Sequence, residues 1–128
     1  MNGSVIDTNV VIKMLKGDKI AVETLDKIEK IFVPIVVVGE LFYGAHKSAR
    51  KDDNMALFTA VLSTFEILPV DEAVAISYAL IKTDLMKNGT KIPENDVWIA
   101  AVAHANDLSL VTFDSHFENI SRIKIIRI

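Results

Sequence analysis

The chain has 128 residues, of which 51% are hydrophobic and 24% are charged, and its net charge is −3. These values predict one folded domain spanning residues 1–128 rather than a disordered chain. The absence of cysteine excludes disulfide scaffolds, thiolate metal centres and cysteine nucleophiles. The chain has no apolar run of the ~20 residues needed to span a bilayer, and the charged Asp7 interrupts the first apolar stretch. We therefore expect a cytoplasmic protein without a membrane span.

The negative net charge argues at first against a nucleic-acid partner, because such a partner usually requires a basic surface. If four of the 17 acidic residues bind a metal, however, the remaining 13 nearly balance the 14 Lys and Arg. The composition therefore permits an RNA-binding metalloenzyme without indicating one.

Short apolar strands alternate with helical patterns along the chain, which is typical of βαβ units and a parallel sheet. The predicted strands are residues 3–6, 32–34, 66–70, 108–112 and 123–128. The predicted helices begin near residue 8, run over 19–30 and 35–48, begin near 52, and run over 71–88 and 93–106. These elements predict an α/β domain.

Local signals refine some of these elements. Asp52 or Asp53 is predicted to cap the fourth helix, and Pro93 to occupy the first turn of the sixth. Pro69 favours an edge position for the third strand. The third helix, over 35–48, is apolar nearly all round, so we expect it to be buried on most sides.

Four carboxylates lie where a ligand site is expected. Ligands of parallel α/β sheets collect beyond the carboxyl ends of the strands, and Asp7 and Asp114 follow two predicted strands. Glu40 interrupts an apolar helix, and Asp96 lies in the first turn of another. An isolated buried carboxylate is costly, so each of these requires a cap, a cation or a paired base.

Each acid also has an ordinary structural explanation. Asp7 and Asp114 can cap helices, Asp96 can complement a helix dipole, and Glu40 can pair with a distant base or reach solvent. Their joint placement nevertheless predicts a cluster. Hard oxygen ligands in a cluster, without His or Cys nearby in the sequence, suit Mg²⁺ or Mn²⁺ rather than zinc.

The sequence resembles a PIN domain, and specifically the toxin of a VapBC-type toxin–antitoxin pair, over essentially its whole length. The resemblance rests on VIDTNVVI, VVVGELFYGA, IPENDVWIAAVAHANDLSLVTFDSHF and the closing hydrophobic strand. The D-T-N start and the N-D-x-x-I-A-A…L-V-T-x-D segment are specific in combination. This resemblance implies a three-layer α/β domain in which helices flank a five-stranded parallel sheet.

The resemblance also implies an activity and its residues. Asp7, Glu40, Asp96 and Asp114 match the family's catalytic, metal-binding quartet. Asp7, Asp96 and Asp114 would hold Mg²⁺ or Mn²⁺ directly or through water, and Glu40 would bind a second ion or orient the attacking water. The polar positions that support the acids in the family are matched by Thr8, Asn9, Asn95 and Thr112.

The implied function is that of an endoribonuclease toxin. Its partners would be an RNA substrate and a cognate antitoxin that blocks it. A homodimer that assembles with antitoxin into a hetero-oligomer is also implied, and the RNA products would carry 5′-phosphate and 3′-hydroxyl ends.

Basic residues near the predicted cleft are candidate RNA contacts. Lys47, Arg50 and Lys51 can bind phosphates, although cations at a helix C-terminus also simply complement its dipole. A phosphate role is equally open for Lys13, Lys16 and Lys19.

The histidines and aromatic residues are weaker candidates. His46, His104 and His116 share no metal-ligand spacing; we expect His104 to be a packing residue and His116 at most a minor substrate contact. Four aromatic residues can stack bases but at helical spacing more often serve a core or an interface. These are Phe42, Tyr43, Phe65 and Trp98.

Two other functions stay open. A phosphoacceptor receiver domain also has a parallel sheet with acids at strand ends, and Asp71 after the third strand fits it superficially. A receiver should have an acidic pair after the first strand, where this chain has Asp7-Thr8-Asn9, and a Lys at the end of the last strand, whereas Lys124 precedes its apolar residues. A non-catalytic PIN-like binding module would be expected to lack a carboxylate of the quartet.

Overall fold

The computed structural model describes residues 3–128; residues 1 and 2 of the predicted domain lie outside the described residues. Five strands form one sheet in the order β3-β2-β1-β4-β5, and every neighbouring pair is parallel. The strands are β1 Gly3–Ile6, β2 Lys30–Pro34, β3 Glu66–Leu68, β4 Ser109–Thr112 and β5 Ile125–Arg127. The predicted five-stranded parallel sheet is confirmed.

Within residues 3–128, six α-helices and one 3₁₀ helix connect these strands. They are α1 Thr8–Leu15, α2 Lys19–Asp26, α3 Ile35–His46, α4 Lys51–Leu62, α5 Glu72–Lys87, α6 Glu94–Ala105 and the 3₁₀ helix Ser115–Asn119. The crossovers from β1 to β2 and from β2 to β3 run in one direction along the sheet, whereas the crossover from β3 to β4 runs in the other direction. Because crossovers between parallel strands are right-handed, crossovers of opposite direction place their helices on opposite faces of the sheet. The three-layer α/β class is therefore confirmed, while the 3₁₀ helix is an element that the sequence patterns did not predict.

The centre of the sheet carries the core. Val5 and Ile6 of β1 and Leu110 and Val111 of β4 are fully buried. Strands covered by helices on both faces have near-continuous apolar sequences, which is the pattern found here. Among the described residues, no helix combines the length and hydropathy needed to cross a bilayer.

The helix that is buried on most sides is α6, not α3. In α6 every residue over 99–103 is buried, because small alanines let the helix approach its neighbours closely. In α3 only Val37, Leu41 and Ala45 are buried, whereas Tyr43 is 66% exposed. The prediction for α3 was wrong because an apolar side chain is equally compatible with a core and with an uncovered surface.

Two predicted helix starts also differ from the structure. Arg50 occupies the N-cap of α4 without a side-chain cap, and Asp53 in the first turn instead accepts a hydrogen bond from Arg50 Nη2 at 2.7 Å. Pro93 is the extended residue before α6, with a ψ angle of 140°, so it precedes the first turn. The edge position predicted for β3 is confirmed, although that strand ends at Leu68, before Pro69.

The strand order creates a switch point between β1 and β4. After β1 the chain continues to β2 and β3 on one side of β1, whereas β4 and β5 lie on the other side. The connections that follow β1 and β4 therefore run in opposite directions and leave a crevice beyond the carboxyl ends of these two strands. Receiver-type sheets have the order 2-1-3-4-5, so the observed order excludes the receiver alternative. Asp71, which that alternative invoked, caps α5 by accepting a hydrogen bond from the Val74 amide at 3.0 Å.

Candidate metal-binding active site

A small polar cavity of about 180 Å³ lies at the carboxyl ends of β1 and β4. The four acids singled out in the sequence all line it, although each comes from a different part of the fold. The lining residues are Asp7, Thr8, Asn9, Glu40, Asp96, Ile99 and Asp114. The structure therefore brings together carboxylates that are up to 107 residues apart in the chain.

Asp7 is the most buried of these acids, with 6% of its surface exposed. One carboxylate oxygen caps α1 by accepting the Val10 amide at 3.2 Å, and the other accepts the Thr112 hydroxyl at 2.5 Å. Burial raises the pKa of Asp7 to about 6, these two hydrogen bonds oppose the rise, and the charges of Asp96 and Asp114 add to it. Asp7 is thus both a helix cap and an acid whose ionisation is disfavoured by its burial.

Glu40 is positioned by two neutral donors. The Thr8 hydroxyl donates to Glu40 Oε1 at 2.6 Å, and Asn95 Nδ2 donates to Oε2 at 3.4 Å. Among the ion pairs of the described residues, none involves Glu40, so its carboxylate does not pair with a distant base. These hydrogen bonds join α1, α3 and α6 around the cavity.

His116 contacts two of the four acids. Its Nε2 lies 2.8 Å from Asp96 Oδ2, and its Nδ1 lies 2.9 Å from Asp114 Oδ1. Burial raises the pKa of Asp96, and the contact with His116 opposes that rise. Ligand atoms of Asp96, Asp114 and His116 all lie within 4.8 Å of one another, which makes the three side chains a candidate metal-binding group.

The contribution of His116 to this cluster is the main feature that the sequence interpretation missed. We expected at most a minor substrate contact, because the histidines have no metal-ligand spacing. The 3₁₀ helix turns the chain back after β4, so the imidazole reaches Asp96, which lies 20 residues earlier. The Asp-x-His sequence over 114–116 was the one available signal.

Thr112 connects the ends of the two central strands. Its hydroxyl donates to Asp7 and accepts the Asp114 backbone amide at 3.0 Å, and the residue is fully buried. Among the predicted supporting residues, Thr8, Asn95 and Thr112 thus contact acids of the quartet, and Asn9 lines the cavity. Substitution of Thr8, Asn95 or Thr112 would change how a carboxylate is held.

The predicted RNA-binding residues Lys47, Arg50 and Lys51 lie outside the cavity lining. Lys47 Nζ lies over the Tyr43 ring, 4.8 Å from its centroid, and Arg50 pairs with Asp53 at 2.7 Å. The structure therefore gives two of these three basic residues local partners at the junction of α3 and α4.

The lysines of the first two helices are distributed differently. Lys13 lies 5.0 Å from the centroid of Phe113, the residue that precedes Asp114, so it is close to the acidic cluster. Lys16 lines a neighbouring apolar groove, and Lys19 pairs with Glu23 on the surface of α2. Of these lysines, Lys13 is the one whose contact is nearest to an acid of the quartet.

The remaining candidates have mainly packing contacts. His104 shares a hydrogen bond of 2.7 Å with Ser77, which confirms it as a satisfied packing residue. Trp98 stacks on Tyr78 with ring centroids 4.0 Å apart, and Phe42 and Phe65 pack against the core. His46 is exposed at the end of α3.

The donor set of the cavity suits a divalent cation. Carboxylates crowded at one place repel one another, and a cation bound among them would relieve this repulsion. Burial disfavours the ionisation of Asp7 and Asp96. A bound cation is therefore expected to stabilise the ionised forms of these two acids most. Hard oxygen ligands are typical of sites for Mg²⁺ or Mn²⁺.

The chain belongs to the PIN domain family, whose model matches residues 4–123. It is 33% identical over 126 residues to ribonuclease VapC2 of Haemophilus influenzae, covering 95% of this chain and 92% of that relative. It is 28% identical over 122 residues to the tRNA(fMet)-specific endonuclease VapC of Shigella flexneri, covering 93% and 92%. The crystal structure of VapBC2 from Rickettsia felis, bound to a DNA fragment from its promoter, superposes with a TM-score of 0.91 at 27% identity and covers 98% of both chains. The resemblance to VapC-type PIN domains is confirmed.

The burial of Asp7 predicts a pH-dependent effect of its removal. Because the pKa of Asp7 is about 6 in the folded chain and 3.8 in the reference state, the folded state binds its proton more tightly, and stability falls as pH rises from about 4 to 6. In EDTA, the stability of Asp7→Asn relative to wild type should be higher at pH 7.5 than at pH 4.5 by about 2 kcal/mol. Urea unfolding measures the stability at both pH values.

Asp71→Asn is the matched control, because Asp71 also caps a helix but is exposed. A gain from Asp7→Asn that was the same at both pH values would contradict the account.

Proposed function

We propose that this chain is a metal-dependent endoribonuclease that acts in the cytoplasm as the toxin of a toxin–antitoxin pair. The observation that carries the proposal is the convergence of Asp7, Glu40, Asp96 and Asp114 on one cavity. Membership of the PIN family and similarity to relatives named as ribonucleases support the reaction class. A non-catalytic module is the weaker alternative, because all four carboxylates are present and face the same cavity.

The residues of the cavity divide into two roles. Asp7, Asp96 and Asp114 would hold Mg²⁺ or Mn²⁺ directly or through water, and the ion would supply a positive charge that stabilises the phosphodiester and lowers the pKa of a water molecule. Glu40, held by Thr8, orients the attacking water and accepts its proton. The cleaved RNA then carries 5′-phosphate and 3′-hydroxyl ends.

The inhibitory partner is an antitoxin whose apolar segment binds beside the cavity. An apolar groove of about 300 Å³ runs between α1, α3 and α4, and Glu40 lines both this groove and the cavity. A segment in the groove would place a basic side chain among the carboxylates and block the cation and RNA together. The apolar residues of the groove are Ile12, Leu15, Leu41, Leu57 and Phe58.

The assembly is a homodimer of this chain bound to antitoxin. Ile76 and Leu80 lie one turn apart on the exposed side of α5, away from the groove, and supply apolar surface for a second copy. The related Rickettsia felis VapBC2 structure supports a complex of toxin and antitoxin.

Removal of a carboxylate should abolish RNA cleavage without unfolding the chain. Asp96→Asn keeps the size of the side chain but loses a charge that the proposed metal needs, so cleavage of a defined RNA panel in Mg²⁺ or Mn²⁺ should fall at least about a hundredfold. EDTA should abolish wild-type cleavage. Asp71→Asn, the exposed cap of α5, should cut at the wild-type rate.

The products should be examined by end-labelling for 5′-phosphate and 3′-hydroxyl termini. Wild-type activity in Asp96→Asn with the same metal would show that the assignment is wrong. Residual cleavage in EDTA would instead indicate a metal-independent reaction or a contaminating ribonuclease. A contaminating ribonuclease would also be present in the Asp96→Asn preparation and would cut RNA there.

A charge placed in the groove should release the antitoxin but spare catalysis. Leu57 is 46% exposed, so Leu57→Asp should fold, and it should weaken binding of the cognate antitoxin at least about tenfold because a carboxylate would be buried against apolar residues. Met86→Asp, at an exposed apolar position of α5, is the control. Calorimetric titration measures binding, and an RNA-cleavage assay measures inhibition, for full-length antitoxin and for antitoxin that lacks the apolar segment proposed to bind in the groove. Full inhibition by the truncated antitoxin would contradict this docking scheme.

A further inference from the structure

The cavity itself offers no basic side chain to an RNA strand. Within the described residues its lining contains four carboxylates and neither Lys nor Arg. Proteins bind nucleic acids largely through contacts between phosphates and Lys or Arg side chains. A basic side chain beside the cavity is therefore the feature expected to bind the strand next to the phosphodiester that is cut.

The side chain of Lys13 lies at this position. Lys13 is one helical turn after Asn9 on α1, and residues four positions apart share one face of a helix. Asn9 lines the cavity. The Lys13 ammonium lies 5.0 Å from the centroid of the Phe113 ring, and Phe113 directly precedes Asp114, which also lines the cavity. The ammonium is thus held beside the cavity, outside its lining.

The charge of Lys13 is not neutralised by an acidic partner. Among the ion pairs within residues 3–128, none involves Lys13, and its side chain is exposed. By contrast, Arg127, which donates to the Phe113 carbonyl at 2.8 Å, pairs with Glu118 at 3.3 Å. An aromatic ring attracts an exposed cation only weakly and leaves its charge in place. Lys13 therefore retains a full positive charge for a phosphate.

A purely structural role for Lys13 would be to complement the dipole of α1, since the residue lies in the last turn of that helix. That role requires a cation near the end of the helix but does not require its ammonium to lie over a ring from the segment after β4. It also predicts an effect of substitution on stability alone, whereas a phosphate contact changes how RNA binding depends on salt.

We propose that Lys13 is a substrate-binding residue whose ammonium binds an RNA phosphate adjacent to the phosphodiester in the cavity, and that Phe113 is the positioning residue that holds this side chain there. The inference rests on the proposed function and adds to it how the RNA strand is positioned. Because the contact is to the backbone of the strand, it carries no base preference, and its loss should weaken the binding of different RNA sequences equally.

The first test measures binding of a fluorescently labelled single-stranded RNA by anisotropy, in a chain that carries Asp96→Asn so that the RNA stays intact. Adding Lys13→Gln should weaken binding at least about fivefold at about 50 mM salt. The plot of log affinity against log salt concentration should become less steep by about 0.7, so the difference should nearly vanish at about 0.5 M salt. An unchanged slope would overturn the proposal.

Two variants serve as controls for charge and position. Lys13→Arg keeps the positive charge and should retain the salt slope. Lys27→Gln removes the same charge from an exposed residue at the end of α2, beside Gly3 and Ser4 at the amino end of β1 and so away from the cavity. It should leave both affinity and slope unchanged. Equal effects of Lys27→Gln and Lys13→Gln would indicate a general effect of net charge and contradict a contact at Lys13.

The kinetics of RNA cleavage provide the second test. In the chain with all four carboxylates, supplied with Mn²⁺, Lys13→Gln should raise KM at least about fivefold and leave kcat within about twofold, because a flanking phosphate is bound equally before and during the reaction. A lower kcat at unchanged KM would contradict a substrate-binding role.

These outcomes separate the inference from the proposed function. RNA cleavage with the same KM and the same salt slope in Lys13→Gln would overturn the role of Lys13 and leave the nuclease assignment intact. A chain that binds RNA through Lys13 but cuts none would support the contact and count against the nuclease. A chain that neither binds nor cuts RNA would overturn both.

Discussion

Four carboxylates that repel one another are held around one cavity, and the surrounding structure supplies the donors that keep them there. The buried hydroxyl of Thr112 connects the Asp7 carboxylate to the backbone of Asp114. Separation of the ends of β1 and β4 would therefore break the hydrogen bond between Thr112 and Asp7. Thr8 and Asn95 hold Glu40 from two other helices. Burial of an ionised Asp7 is unfavourable, as the raised pKa of this residue indicates. The metal ion that we propose would compensate this cost by pairing with the buried carboxylate.

Structural and functional explanations of these residues coincide rather than compete. Asp7 and Asp114 cap the helices that follow β1 and β4, which fixes the direction of each carboxylate. A capping carboxylate uses one oxygen for the backbone amide, so Asp7 still has a second oxygen near the cavity. The strand order places both caps at the same crevice, because β1 and β4 are neighbours although the starts of these strands lie 106 positions apart in the chain.

The sheet could be predicted from the sequence because each strand is a short apolar run between turn signals, and the acids at its carboxyl ends could be located for the same reason. The environment of α3 could not be predicted, because the sequence pattern does not distinguish apolar residues that face the core from apolar residues at the surface. Tyr43 and Ile35 of α3 are of the second kind, since both are exposed. His116 was missed because its contact with Asp96 depends on the 3₁₀ helix, whose direction no local pattern specifies. The caps proposed for α4 failed because Arg50 and Asp53 pair with each other instead.

The central claim is that carboxylates from separate elements share one divalent cation. Anomalous diffraction from a crystal of the chain containing Mn²⁺ tests it most directly, because the signal locates the ion independently of the protein atoms. We predict one strong peak in the cavity, about 2.2 Å from carboxylate oxygens of Asp7, Asp96 or Asp114. A peak elsewhere on the chain, or no peak in crystals that contain the ion at saturating concentration, would contradict it.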